Sequence, residues 1–73
     1  MIQILIHKRL RALLQERGMK QRELARMLNV SDALISQWAN GIHVPCVEDV
    51  VMIAQIFGTT TDYLIGLTDE RGM

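Results

Sequence analysis

Residues 21–41 read Gln-Arg-Glu-Leu-Ala-Arg-Met-Leu-Asn-Val-Ser-Asp-Ala-Leu-Ile-Ser-Gln-Trp-Ala-Asn-Gly, and the spacing of apolar side chains in this stretch decides the fold. Leu24, Ala25 and Leu28 fall on one face of a first helical pattern, and Leu34, Ile35 and Trp38 on one face of a second. Between them, Asn29 can end a helix in the left-handed conformation that few residues tolerate, and Ser31 can cap the next helix through its hydroxyl. The two patterns make a helix-turn-helix, with Ala25 small enough to let the second helix cross close by.

A helix presented in this way fits the major groove of B-DNA, which is wide enough to admit it and shows a distinct donor and acceptor pattern for each base pair. Its outer face carries Asp32, Ala33, Ser36, Gln37 and Asn40, short or amide side chains suited to base edges and phosphates. Every small helix has a polar outer face, however, and helix-turn-helix shapes occur in proteins that never touch DNA. Shape alone leaves both uses open.

Outward from this stretch, the same reading predicts an all-α chain of five helices. The first covers 4–17, with Ile6, Leu10, Leu13 and Leu14 at core spacing and Gly18 as its stop. The alternation of Ile2, Ile4 and Ile6 would also suit a short strand, but the helical spacing is the pattern carried forward. The second and third cover 21–28 and 32–40, the latter stopped by Gly41. Pro45 breaks the chain before a fourth helix at 47–57, where Val50, Val51, Ala54 and Phe57 are expected to face inward. A fifth at 61–65 is capped by Thr60 or Thr59 and closed by Gly66, leaving 67–73 as a short tail. The 73 residues are enough for one core, in a domain that buries only about 60% of the surface its unfolded chain exposes.

The identities extend the match well beyond the two helices. Arg9-Leu10-Arg11, Gly18, Gln21-x-Glu23-Leu24-Ala25, Val30-Ser31, Ile35-Ser36-x-Trp38, Asn40-Gly41, Pro45 and the ending Gly58-x-x-x-Asp62-Tyr63-Leu64-x-Gly66 together resemble the phage repressor and Cro (XRE) family of helix-turn-helix DNA-binding domains. The resemblance implies a compact five-helix lambda-repressor-like domain whose third helix reads the major groove. It places base-reading side chains at Asp32, Ala33 and Gln37, with Ser36 beside them. Gln37 could pair with adenine through two hydrogen bonds, Asp32 could accept from a cytosine amino group, and Ala33 offers only a methyl. It also implies that Gln21 fixes the domain on the DNA backbone, a contact that carries no sequence information. Lys20, Arg22, Ser31, Asn40 and His43 complete the phosphate candidates. Asp32 has a second explanation, since an acid in the first turn favours a helix N-terminus whether or not DNA is present.

Three departures from the family pattern have physical consequences. Many members carry an arginine at the position of Leu14 and a glutamate at that of Ala39, forming a buried ion pair. Loss of one partner alone would strand a charge at roughly 3–5 kcal/mol, whereas replacing both by apolar groups is often neutral or stabilising, so Leu14 and Ala39 read as a matched replacement. Lys20 and Cys46 stand where serine or threonine often caps a helix, which weakens the starts of the second and fourth helices by about 1 kcal/mol each. The loop after Gly41 is usually basic but here reads Ile42-His43-Val44. A histidine carries little charge at neutral pH, so phosphate affinity there is expected to be weak or dependent on pH.

The formal net charge is zero, yet its distribution is not even. Residues 1–45 hold seven bases (Lys8, Arg9, Arg11, Arg17, Lys20, Arg22, Arg26) against three acids, a balance of +4. Residues 46–73 hold Arg71 against Glu48, Asp49, Asp62, Asp69 and Glu70, a balance of −4. Such a charge dipole orients the proposed reading unit toward phosphates. Lys8, Arg9 and Arg11 are expected only to solvate the first helix.

Other function classes fare poorly. His43 and Cys46 offer too few ligands for zinc in one chain and no third partner for nucleophilic catalysis, so neither an enzyme nor a metal, cofactor or small-molecule site is expected. A single cysteine excludes an internal disulfide and fits a reducing cytoplasm. The apolar start is far shorter than the ~20 residues needed to cross a bilayer, and neither a membrane span nor a signal peptide is read. The expected partners are double-stranded DNA and a second copy of the chain, since a homodimer sets two reading helices about 34 Å apart on a palindromic site. Ile42, Val44, Met52, Ile56 and Ile65 are candidates for the dimer face. Repression by occluding a promoter is the expected outcome. An antitoxin-like or regulatory module that binds protein, with weak DNA binding, stays open as the alternative.

Overall fold

In a computed structural model, which describes residues 4–72, the order of elements is α1 (Ile6–Arg17), α2 (Gln21–Leu28), α3 (Asp32–Ala39), α4 (Val47–Phe57) and α5 (Thr61–Ile65), with no strand among the described residues. Each helix contributes one large side chain to the centre. Leu10, Leu24, Ile35, Ile53 and Leu64 are fully buried, and each comes from a different helix. α3 packs against both α1 and α2, and α5 closes on α1 and α4.

The turn between α2 and α3 follows from its residues. Asn29 adopts φ 57° and ψ 47°, the left-handed conformation, and is the only described residue other than glycine with positive φ. Its N–H donates to the Arg26 carbonyl (3.2 Å), and the Val30 N–H reaches back to the Ala25 carbonyl (2.9 Å). These bonds satisfy carbonyls that the end of α2 would otherwise leave open. Ser31 then caps α3, its hydroxyl accepting from the Leu34 N–H at 3.1 Å. Thr60, rather than Thr59, does the same for α5 by accepting from the Tyr63 N–H at 3.0 Å. Lys20 and Cys46, in the extended N-cap conformation, make no such bond.

Four sequence expectations need correction. α1 begins at Ile6 instead of residue 4, because Leu5 leaves the helical conformation (φ −104°, ψ 18°) and its N–H donates to the Ile65 carbonyl at the end of α5 (3.1 Å). Residues 2 and 3 of the alternating stretch lie outside the described residues. α3 ends at Ala39, with Asn40 as its C-cap (φ −98°, ψ 2°). On α4 the inward face is Val50, Ile53, Ala54 and Phe57, while Val51 is 39% exposed. Finally, Arg9 does not merely solvate α1. Its guanidinium lies 4.2 Å from the centre of the Tyr63 ring, donates to Asp69 (2.8 Å) and reaches the Thr68 carbonyl (3.4 Å). The hydrogen bond that Arg9 donates to Asp69 raises the Arg9 pKa further above its already high ordinary value.

The tail after α5 is thereby strapped across α1 and α5. Arg71 pairs with Glu16 through two hydrogen bonds and lies 5.3 Å from the centre of the Tyr63 ring, over which Arg9 also rests. Thr59 donates its hydroxyl to the Arg71 carbonyl (3.0 Å). Gly72 follows at φ +77°, where a Cβ would come within 2.2 Å of the Thr60 side chain, so only glycine lets the tail lie this close. Arg17 closes the other end of the same surface by donating to the Phe57 carbonyl (2.6 Å) at the C-terminus of α4.

Candidate nucleic-acid interface

α3 is eight residues long and divided cleanly between two stripes. Ile35, Trp38 and Ala39 are buried, and Leu34 packs partly against them. The complementary positions 32, 33, 36, 37 and 40 form a continuous row on a 3.6-residue helix. Within that row Asp32, Ala33 and Asn40 are exposed, and Ser36 and Gln37 are half-buried. Burial of one stripe therefore dictates the outward direction of the other.

Ser36, Gln37, Asn40 and His43 are brought together at the C-terminal half of α3. The Asn40 side-chain amide donates to the Ser36 hydroxyl (3.3 Å), leaving the Ser36 hydroxyl proton and the Asn40 carbonyl oxygen for an outside partner. The Gln37 backbone carbonyl accepts from both Ile42 (2.9 Å) and His43 (3.4 Å), which ties the following loop to the helix. Asp32 and Ala33 lie one turn and more toward the N-terminus, beside the Ser31 cap. The Ser31 oxygen accepts within α3, which leaves its hydroxyl proton free to donate, the role a phosphate oxygen requires.

Lys20, Gln21 and Arg22 form a separate group at the start of α2, all exposed. No hydrogen bond among the described residues joins their side chains to α3. They reach the reading row only through the packing of α2 on α3. Of the seven bases in residues 1–45, Arg9 and Arg17 are engaged within the fold, so the positive charge available to a polyanion rests on Lys8, Arg11, Lys20, Arg22 and Arg26. The inward duties of Arg9 and Arg17 were not readable from sequence, because Tyr63, Phe57 and Asp69 are 40 or more residues away.

Leu14 (6% exposed) and Ala39 (1%) belong to one apolar cluster where α1 meets α3, and no charged side chain is buried among the described residues. No cluster of three or more His, Cys, Asp or Glu side chains that could hold a metal occurs among the described residues, and no helix there is long and apolar enough to cross a membrane.

An all-helical fold in which α2 and α3 form a capped helix-turn-helix, with a polar row turned outward from α3, defines a class. A helix-turn-helix family model matches residues 10–64, and the chain belongs to that family. The 26 kDa repressor protein of Escherichia phage HK022 is 37% identical over 54 residues, covering 74% of this chain and 23% of that protein. The chain thus spans under a quarter of that relative's length. Among solved structures, a transcriptional regulator from Listeria innocua superposes with a TM-score of 0.87 at 29% identity, over 94% of this chain and 64% of that one. The DNA-binding domain of the P22 C2 repressor, determined in solution, superposes with a TM-score of 0.79, also at 29% identity, over 90% of this chain and 87% of that domain.

Proposed function

We propose that this chain is a DNA-binding transcriptional regulator of repressor type, which sets α3 into the major groove of double-stranded DNA and acts as a homodimer on a palindromic operator. The observation that carries this reading is the division of α3 into a buried apolar stripe and an outward row of Asp32, Ala33, Ser36, Gln37 and Asn40. That division sits within a family whose similar members include a phage repressor and a repressor DNA-binding domain. Gln37 and Asp32 carry the hydrogen-bonding capacity for base edges, with Ser36 and the Ala33 methyl beside them. Lys20, Gln21 and Arg22 from α2, with Ser31, Asn40 and His43 around α3, contact phosphates and set register. Binding rather than catalysis is the activity, and the cytoplasm is where it acts.

The roles separate experimentally. Gln37→Ala is expected to relax preference at one base position in each half-site, changing discrimination there by about 1–3 kcal/mol. Gln21→Ala is expected to weaken binding to all sequences alike. Equal losses at every base for both variants would remove the distinction between reading and positioning.

A further inference from the structure

The chain holds two histidines, and both line the same small cavity. This cavity of about 160 Å³ lies where the start of α1 meets the end of α3 and the loop after it, with Ile6, Trp38, Gly41 and Val44 among its other walls. His7 is half-buried and lays its imidazole over the turn that ends α3. Gly41 sits there at φ +75°, and a Cβ on it would stand 3.4 Å from the His7 ring. His43, on the loop, is exposed.

This end of α3 has no backbone donor left for an anion. The N–H groups of Asn40, Gly41, Ile42 and His43 are all committed to the carbonyls of Ser36, Trp38 and Gln37, at 2.9 to 3.4 Å. The C-terminal end of a helix favours positive charge, yet the last turn of α3 carries no base of its own. The cations nearby come from outside the helix. Besides the two imidazoles, Arg11 follows His7 by one turn on the same side of α1, and Lys8 adjoins it in sequence. Both are exposed and in no ion pair among the described residues, and no carboxylate lines the cavity.

We propose that His7 and His43 form a proton-dependent clamp for a backbone phosphate of DNA at the C-terminal end of α3. The proposal rests on the DNA-binding reading above and adds His7 to the residues that position the reading helix. A protonated imidazole donates from both ring nitrogens and carries a full charge, and histidine is the side chain whose charge ordinarily changes across the neutral range. With both rings protonated beside Arg11 and no acid among them, a bridging anion relieves the repulsion and accepts charge-assisted hydrogen bonds. Asn40, already a phosphate candidate, directly precedes Gly41, which brings a phosphate held by its amide next to the two rings. Neutral rings keep one N–H each but lose the charge, so DNA affinity falls as pH rises.

Binding to a duplex selected from random DNA, followed by fluorescence anisotropy over a range of salt at about pH 6 and about pH 8, tests the clamp. Wild-type affinity is expected to be roughly tenfold higher at the lower pH, with the slope of log K against log salt steeper there by about 0.9, the signature of one more neutralised phosphate. His7→Gln and His43→Gln are each expected to remove part of this difference, and the double variant all of it. His43→Lys, whose charge persists at both pH values, is expected to hold its affinity at the higher one. Circular dichroism at both pH values checks folding, and the exposed His43 gives a test free of any packing lost with His7. A wild type whose affinity and salt slope ignore pH would overturn the proposal, as would a double variant that keeps the pH response or a His7→Gln protein that matches the wild type throughout.

Failure of the clamp and failure of the DNA reading look different. A sequence preference without a pH response leaves the DNA reading standing and removes the clamp. A pH response that is lost in the double variant but equal on all sequences keeps the clamp and removes the sequence reading, and no binding at either pH removes both. Inorganic phosphate alone is expected to leave the imidazole NMR signals of His7 and His43 in place at phosphate concentrations where the duplex shifts both. Equal shifts with inorganic phosphate would make the cavity a free-anion site and overturn its assignment to DNA.

Discussion

Replacing Leu14 by arginine places a guanidinium at a site with 6% exposure, against Ala39 at 1%, inside the cluster that joins α1 to α3. A buried charge without a partner costs roughly 3–5 kcal/mol. For 73 residues the total stability is of order 4–11 kcal/mol, so Leu14→Arg alone is expected to remove a large fraction of it and to lower Tm by more than about 12 °C. Ala39→Glu alone is expected to cost a similar amount for the same reason. The double variant Leu14→Arg/Ala39→Glu restores mutual neutralisation and is expected to lie only about 0–4 kcal/mol below the wild type, the range in which apolar replacements of buried pairs have exceeded the pairs themselves. The coupling in a double-mutant cycle should then be at least about 2 kcal/mol in favour of the pair. Urea unfolding of all four proteins, followed by circular dichroism, measures it. Additive effects, or a Leu14→Arg variant within about 1 kcal/mol of the wild type because the long side chain escapes to water, would refute the matched replacement.

Further outcomes are expected elsewhere in the fold. At the start of α4 the Cys46 thiol donates to the Asp49 carboxylate (3.1 Å) instead of accepting from a backbone N–H, although its backbone is already in the N-cap conformation. Cys46→Ser is therefore expected to stabilise by about 1 kcal/mol, visible as a Tm rise of roughly 4–8 °C. Arg9→Ala removes a guanidinium from the face of Tyr63 and is expected to cost about 1 kcal/mol in denaturant unfolding, with little dependence on salt. Asp69→Ala, at a partner side chain 98% exposed, is expected to change stability by less than about 0.5 kcal/mol. The hydrogen bond from Arg71 lowers the Glu16 pKa in the folded chain, so the contribution of this pair is present above the ordinary carboxylate range and is lost as pH falls through the lowered folded-state value. A carboxyl-detected NMR titration should show a lowered Glu16 midpoint that moves together with the signals of Thr59 and Arg71, and a tail that responds identically in Glu16→Gln would contradict the strap.

The parts legible in the sequence are those governed by local chemistry. Asn29, Ser31 and Thr60 mark helix boundaries because their side chains or backbone preferences act within three or four residues, and the buried stripes of α1, α2 and α3 repeat at helical spacing. α4 was harder to phase because Val47, Val50, Val51, Met52, Ile53, Ala54, Ile56 and Phe57 are almost continuously apolar. With so little polar contrast, Val51 and Ile53 are interchangeable to a periodicity argument, and only packing against the other helices sends Ile53 inward. The start of α1 was set by a bond from Leu5 to Ile65, 60 residues away in the chain. The inward role of Arg9 likewise depends on partners, Tyr63 and Asp69, that are distant in the chain. The outward row of α3 could be named from sequence because it is the complement of the buried stripe.

The claim that α3 reads DNA sequence is tested most directly by selecting bound duplexes from a random library at low and moderate salt. Phosphate contacts alone enrich nothing and weaken steeply as salt rises, whereas base contacts leave a sequence preference at both concentrations. Recovery of a palindrome whose half-sites lie about one helical turn apart, enriched at both salts, is expected. No enriched sequence, with binding that disappears at moderate salt, would contradict it.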